Sequence, residues 1–143
     1  MSESTNPPTI TGVLETSLYV ADLDRSQQFY AALFGFPQLA GDARFRALDV
    51  AGRQVLLLFR HGASLAVAKT SGGVLPPHDG SGQMHLAFAI AADQWGAWLA
   101  RLESAGIAIE SIINWPRGGR SVYFRDPDGH LVELVTPGCW QTY

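Results

Sequence analysis

The feature that most constrains this chain is an order of punctuation that occurs twice. VLETSLYV (13–20) reads as a strand, with Val, Thr and Tyr favouring extended backbone. Asp22 then offers an N-cap; Leu23, Tyr30, Leu33 and Phe34 fall near one helical face, and Gly35 supplies a stop. After residue 82 the same order returns. MHLAFAIA (84–91) reads as a strand and Asp93 as a cap. Trp95, Trp98, Leu99 and Leu102 follow at i, i+3, i+4 and i+7, and Gly106 is the stop. Three further strands are expected after each helix: Phe45–Val50, Val55–Arg60 and Ser64–Lys69, then Ile107–Asn114, Ser121–Arg125 and Leu131–Thr136. GRQVLLLFRHG (52–62) parallels GHLVELVTPG (129–138), and Asp126-Pro127-Asp128-Gly129 is a tight turn closing the final hairpin. TSGGVLPPHDGSG (70–82) is turn chemistry throughout and reads as a connector. The chain is therefore a single α+β domain over 1–143, made of two βαβββ modules at 12–69 and 83–137. Neither module can bury its sheet alone, so the two must pair.

Composition narrows the function. Ten basic against thirteen acidic residues leave a net charge of −3, which is no footprint for a nucleic-acid backbone. The single cysteine, Cys139, excludes an intrachain disulfide and a cysteine-rich zinc site. Residues 1–8 have neither the basic nor the apolar region of a secretory signal, and no run is long enough to span a membrane. The expectation is a cytoplasmic protein acting on small molecules, with no nucleic-acid or membrane partner.

Side chains alternate faces along a strand. Leu14, Thr16, Leu18 and Val20 share one face of the first strand; Glu15, Ser17 and Tyr19 share the other. Met84, Leu86, Phe88 and Ile90 make a packing face, and His85 lies opposite with Ala87 and Ala89, which leave room for a cavity. Leu131, Glu133 and Val135 share a face of the last strand. A carboxylate among apolar neighbours must be paired, hydrogen-bonded or bound to a metal. Glu15, His85 and Glu133 are thus alike, and two carboxylates with one imidazole suit Mn²⁺, Fe²⁺, Ni²⁺ or Zn²⁺. Taken singly, Glu15 can instead face solvent, His85 can be a satisfied strand residue, and Glu133 can pair with an arginine. Spacing alone does not bring the three together.

LYVADLDRSQQFYAALFGF (18–36), MHLAFAI (84–90) and SVYFRDPDGHLVEL (121–134) resemble the vicinal oxygen chelate superfamily, which includes glyoxalase I, extradiol dioxygenases, fosfomycin-resistance enzymes and bleomycin-resistance proteins. The resemblance implies paired βαβββ modules forming a curled mixed sheet around a metal-centred cavity. It carries the family's three metal ligands onto Glu15, seven residues before Asp22, and onto His85 and Glu133. The family's first ligand is most often His or Gln, so Glu15 is a departure. GRQVLLLF against GHLVELV sets Leu56 where glyoxalase I-like enzymes place a fourth ligand, which makes that activity less favoured. It also implies a homodimer whose sites draw on both subunits.

The same resemblance makes Ser121 and Tyr123 candidate substrate contacts, with Tyr123 also a candidate acid beside Glu133. Arg117 and Arg120 in PRGGR present forks suited to a carboxylate or phosphonate, and Arg117 suits a solvated turn equally well. His78 in the connector is either a loop residue or a proton carrier closing over the site. Trp140 and Tyr143 are candidates for covering a partner subunit. The expected function is divalent-metal-dependent Lewis-acid chemistry of lyase, isomerase, conjugation or dioxygenase type. The rival is a metal-free small-molecule-binding protein like those of bleomycin resistance.

Overall fold

The computed structural model describes residues 5–143; the first four residues of the polar N-terminal lead-in lie outside it. Strand β1 (Glu15–Val20) leads into helix α1 (Leu23–Phe34), followed by β2 (Gln38–Gly41), β3 (Phe45–Val50) and β4 (Gln54–Arg60). These strands form one mixed sheet in the order β1-β4-β3-β2, with β1 parallel to β4. A small hairpin follows, β5 (Ala68–Thr70) with β6 (Gly73–Leu75). Then come β7 (His85–Ala89), helix α2 (Trp95–Ser104), β8 (Ser111–Asn114), β9 (Arg120–Arg125) and β10 (Leu131–Val135). The second sheet has the order β7-β10-β9-β8, the same order as the first. The duplication is therefore present in the topology.

Local chemistry explains most boundaries. The Asp22 side chain accepts from Arg25 N–H at 3.1 Å, and Gly35 closes α1 in the left-handed region at φ 73°. Asp93 does not cap α2. Ala92–Gln94 form a 3-10 turn, the helix begins at Trp95, and no side chain caps it. The third strand of the first module is also not Ser64–Lys69. Only Ala68–Thr70 is extended, and it pairs within the connector, so residues 70–82 are not turn alone. The missing sheet strand is β2, which lies before β3 and is exposed along its length. In the second module the strand expected at Ile107–Asn114 is confined to β8.

The two modules share one core. Leu18, Val20, Leu48, Leu56 and Leu58 from the first sheet cluster with Leu86, Val122, Phe124, Val132 and Leu134 from the second. Phe34 packs against this core, its ring tilted 4.9 Å from Phe88 and 5.4 Å from Trp98 by ring centroids. The DPDGH turn ties the modules together with polar contacts. Tyr30 donates to the buried Asp126 carboxylate at 2.7 Å, and Ala21 N–H donates to Asp128 at 2.8 Å. His130, 1% exposed, accepts from Met84 N–H at 2.9 Å and donates through Nε2 to the Tyr19 carbonyl at 2.8 Å. From α2, Arg101 satisfies the Leu33 and Ala32 carbonyls at the end of α1. No strand among the described residues pairs with the outer edge of β1 or β7, and no helix is long and apolar enough to cross a membrane.

Candidate functional site

Strand register brings His85 and Glu133 together. β7 runs parallel to β10, with His85 opposite Leu131 and Ala87 opposite Glu133. The methyl side chain of Ala87 leaves space, and His85 Nε2 lies 3.2 Å from Glu133 Oε1. His85 Nδ1 is 2.9 Å from the Leu131 carbonyl, which can only accept, so Nδ1 carries a hydrogen. A ring with no second hydrogen aims the Nε2 lone pair at a carboxylate oxygen. Two lone-pair donors at that distance repel unless a cation sits with them, either a proton on the ring or a metal ion. A spacing of 3.2 Å also suits two ligands bonded to one ion at about 2.1 Å.

Glu133 is 6% exposed, and its second oxygen is fixed from behind. β9 is antiparallel to β10, with Tyr123 opposite Glu133 and Ser121 opposite Val135. The Ser121 hydroxyl donates to Glu133 Oε2 and accepts from Trp115 Nε1–H at 2.7 Å. Such a chain fixes the orientation of a ligating carboxylate. The Trp115 role is absent from the sequence reading; the residue stands in the turn before β9 and carries no spacing signal. Tyr123 lies beside His85, with ring centroids 6.2 Å apart. Burial, with the Glu133 carboxylate adding to it, pushes the Tyr123 phenol up, so it stays protonated and able to donate. Burial and then Glu133 likewise raise the Cys139 thiol.

Other expected site residues lie elsewhere. Arg120 alternates away from Ser121 and Tyr123, and its guanidinium stacks 4.6 Å over the Trp95 ring. It is on the helix side of the sheet rather than the Glu133 side. Arg117 is exposed in the turn. Tyr143 folds back onto its own chain, donating to the Val135 carbonyl at 2.9 Å, while Trp140 is exposed.

Glu15 opens a separate cavity on the first sheet, lined also by Tyr19, Phe59 and His78. Among the described residues no three His, Cys, Asp or Glu side chains come together, so Glu15 does not join His85 and Glu133 within one chain. The two residues nevertheless occupy equivalent places. Glu15 is opposite Val55 and His85 opposite Leu131, each at the first position of a parallel β1–β4 or β7–β10 pair. The same register corrects the counterpart of Glu133. Ser17, two residues after Glu15, pairs with Leu57, which lines the cavity, whereas Leu56 is buried in the core. A leucine stands there in either case and cannot ligate a metal.

The chain's residues 12–134 match the model of the glyoxalase/bleomycin resistance protein/dioxygenase superfamily. It belongs to that superfamily. Among curated relatives, a catechol-2,3-dioxygenase of Bacillus subtilis (strain 168) is 33% identical over 131 residues, 87% of this chain but 42% of the dioxygenase. The chain thus spans less than half of that relative. The fosfomycin resistance protein FosX of Listeria innocua is 30% identical over 128 residues, covering 87% of this chain and 89% of FosX. Among solved structures, the lactoylglutathione lyase of Agrobacterium tumefaciens superposes with a TM-score of 0.84 at 33% identity, covering 95% of this chain and 99% of the lyase. The paired-module α+β fold expected from the sequence is that of the superfamily.

Proposed function

We propose that this superfamily member is a divalent-metal-dependent enzyme acting on a small, oxygen-rich substrate. The observation that supports the reading is the His85–Glu133 pair, whose 3.2 Å spacing suits two ligands of one ion. His85, Glu133 and Glu15 would hold the ion; the donor set suits Mn²⁺, Fe²⁺, Ni²⁺ or Zn²⁺, and two carboxylates beside one imidazole favour the harder of these. When bound, the ion supplies Lewis-acid polarisation of adjacent substrate oxygens, favouring an enolate or alkoxide.

The chain's own residues do the rest. The Leu131 carbonyl holds the His85 ring so that Nε2 faces Glu133. Ser121 orients the Glu133 carboxylate, and the protonated Tyr123 donates to a substrate oxygen that gains charge. Reaction classes open to this arrangement are lyase, isomerase, conjugation and dioxygenase.

The third ligand would come from a second copy of the chain. Among the described residues β1 and β7 each present an unpaired edge, and each begins on a proposed ligand. Beside β1 the apolar Ile10, Val13 and Leu14 are 90%, 68% and 64% exposed, which a homodimer would cover. The test is elemental analysis of protein purified without added metal, beside His85→Ala and Glu15→Ala. The expected result is one divalent ion per chain, lost in both variants. A metal-free protein that still binds small molecules tightly would instead support the bleomycin-resistance type of function.

A further inference from the structure

The Glu15 face of the first sheet holds a cavity of about 410 Å³ whose apolar walls are Phe45, Leu57, Phe59 and Leu75. Inside it Tyr19 Oη lies 2.7 Å from His78 Nδ1. Phe59 stacks on Tyr19 at 5.8 Å and meets the His78 ring edge-on at 4.4 Å. The connector is held over this pair by other contacts. His78 N–H donates to the Ser64 carbonyl at 2.9 Å, and Gly62 N–H donates to Asp79 at 3.2 Å. Gly80 passes so close that a Cβ there would stand 2.5 Å from the Tyr19 ring. The His78 backbone and the Asp79 carboxylate therefore anchor the loop, and the imidazole is not needed for that task. Burial, with the Asp79 charge adding to it, raises the Tyr19 phenol. Tyr19 then donates to Nδ1, which leaves the His78 Nε2–H as a donor and the Tyr19 oxygen as an acceptor.

The charges present select against an anionic ligand. Arg44, the cation in the lining, is paired with Asp42 at 3.4 Å, and Glu15 is itself an acid. We propose that this cavity binds an uncharged, ring-bearing ligand whose hydroxyl or carbonyl oxygen hydrogen-bonds the Tyr19–His78 pair, with its ring against Phe45, Phe59 and Leu75. This names the substrate class of the metal site proposed above, and rests on that reading only in having the cavity face the metal.

The test titrates naphthol, with methylphosphonate as the charged contrast, into the full chain followed by calorimetry. Naphthol is expected to bind saturably at one site per chain and methylphosphonate not to bind. Tyr19→Phe and His78→Ala should each weaken naphthol about fivefold, the worth of one ordinary hydrogen bond. Leu75→Ala, on the exposed hairpin, should weaken it by a few-fold through lost apolar contact. Gly80→Ala should lower affinity by displacing the loop, although it removes no cavity atom. Ser104→Ala, at the distant end of α2, should change nothing. If Tyr19→Phe fails to fold, His78→Ala on the connector carries the test. Absent naphthol binding, equal binding by all variants, or preferred methylphosphonate binding overturns the proposal. Repeating the titration after chelation separates the two readings. Naphthol binding by a chain with no metal affinity sinks only the metal reading, and metal binding without naphthol sinks only this one.

Discussion

Replacing Ser121 by alanine removes one hydroxyl and strands two groups. Glu133 Oε2 loses its donor, and the Trp115 indole N–H loses its acceptor. The indole is half-buried and can turn to water, but the carboxylate is 6% exposed. The carboxylate therefore sets the cost, about 2 kcal/mol for a buried group left without its partner. For a chain of this size that lowers Tm by roughly 6 °C. The carboxylate is also freed to rotate away from His85. Loss of such a supporting hydrogen bond weakens metal binding about 10- to 100-fold. Thermal unfolding of metal-free protein reads the first effect, and competition against a chromophoric chelator reads the second. Ser121→Thr keeps the hydroxyl and should recover most of both. An alanine variant with parental Tm and parental metal affinity would refute the proposed role of the Trp115–Ser121–Glu133 chain.

Two further outcomes follow from the same contacts. Tyr30→Phe removes the donor to the buried Asp126 carboxylate that joins α1 to the final turn. Urea unfolding should show a loss of about 2 kcal/mol, and a change below about 0.5 kcal/mol would mean the contact does not tie the modules. The Cys139 thiol is raised by burial and then by Glu133, so at neutral pH it stays protonated and alkylates slowly. Its rate should rise at higher pH than for an unperturbed thiol. Glu133→Gln removes one cause and should shift the profile to lower pH; an unmoved profile would contradict the coupling.

Where single residues carry strong local chemistry, the sequence made the fold legible. Asp22 and Gly35 bracket α1, and the alternation of Leu18 and Val20 against Glu15, Ser17 and Tyr19 assigns both faces of β1. β2 was missed because QLAG has no buried face and thus no hydrophobic pattern. Asp93 looked like a cap, but the chain makes a 3-10 turn there before α2 starts. The Leu56 assignment failed by one residue because Leu57 lies five residues after Gly52, whereas Glu133 lies four after Gly129. A one-residue slip flips a side chain to the other face. The unusual placing of His85 and Glu133 on apolar strands was readable from strand faces; that the two side chains meet was not. Ser121 and Trp115 as support for Glu133 were not readable either, since register alone brings them there. The inter-module role of His130 was equally hidden, because its partner is a backbone carbonyl in the other half of the chain.

The proposed metal site takes Glu15 from one copy of the chain and His85 with Glu133 from another. Its most direct test mixes two defective chains, Glu15→Ala and Glu133→Ala, by co-expression, and counts metal in the purified mixed dimer. Each variant alone should hold no tightly bound ion. The mixed dimer pairs the intact Glu15 of one chain with the intact Glu133 of the other, and should regain one ion per dimer. A mixed dimer as empty as its parents, while the unmodified protein holds metal, would contradict the shared site.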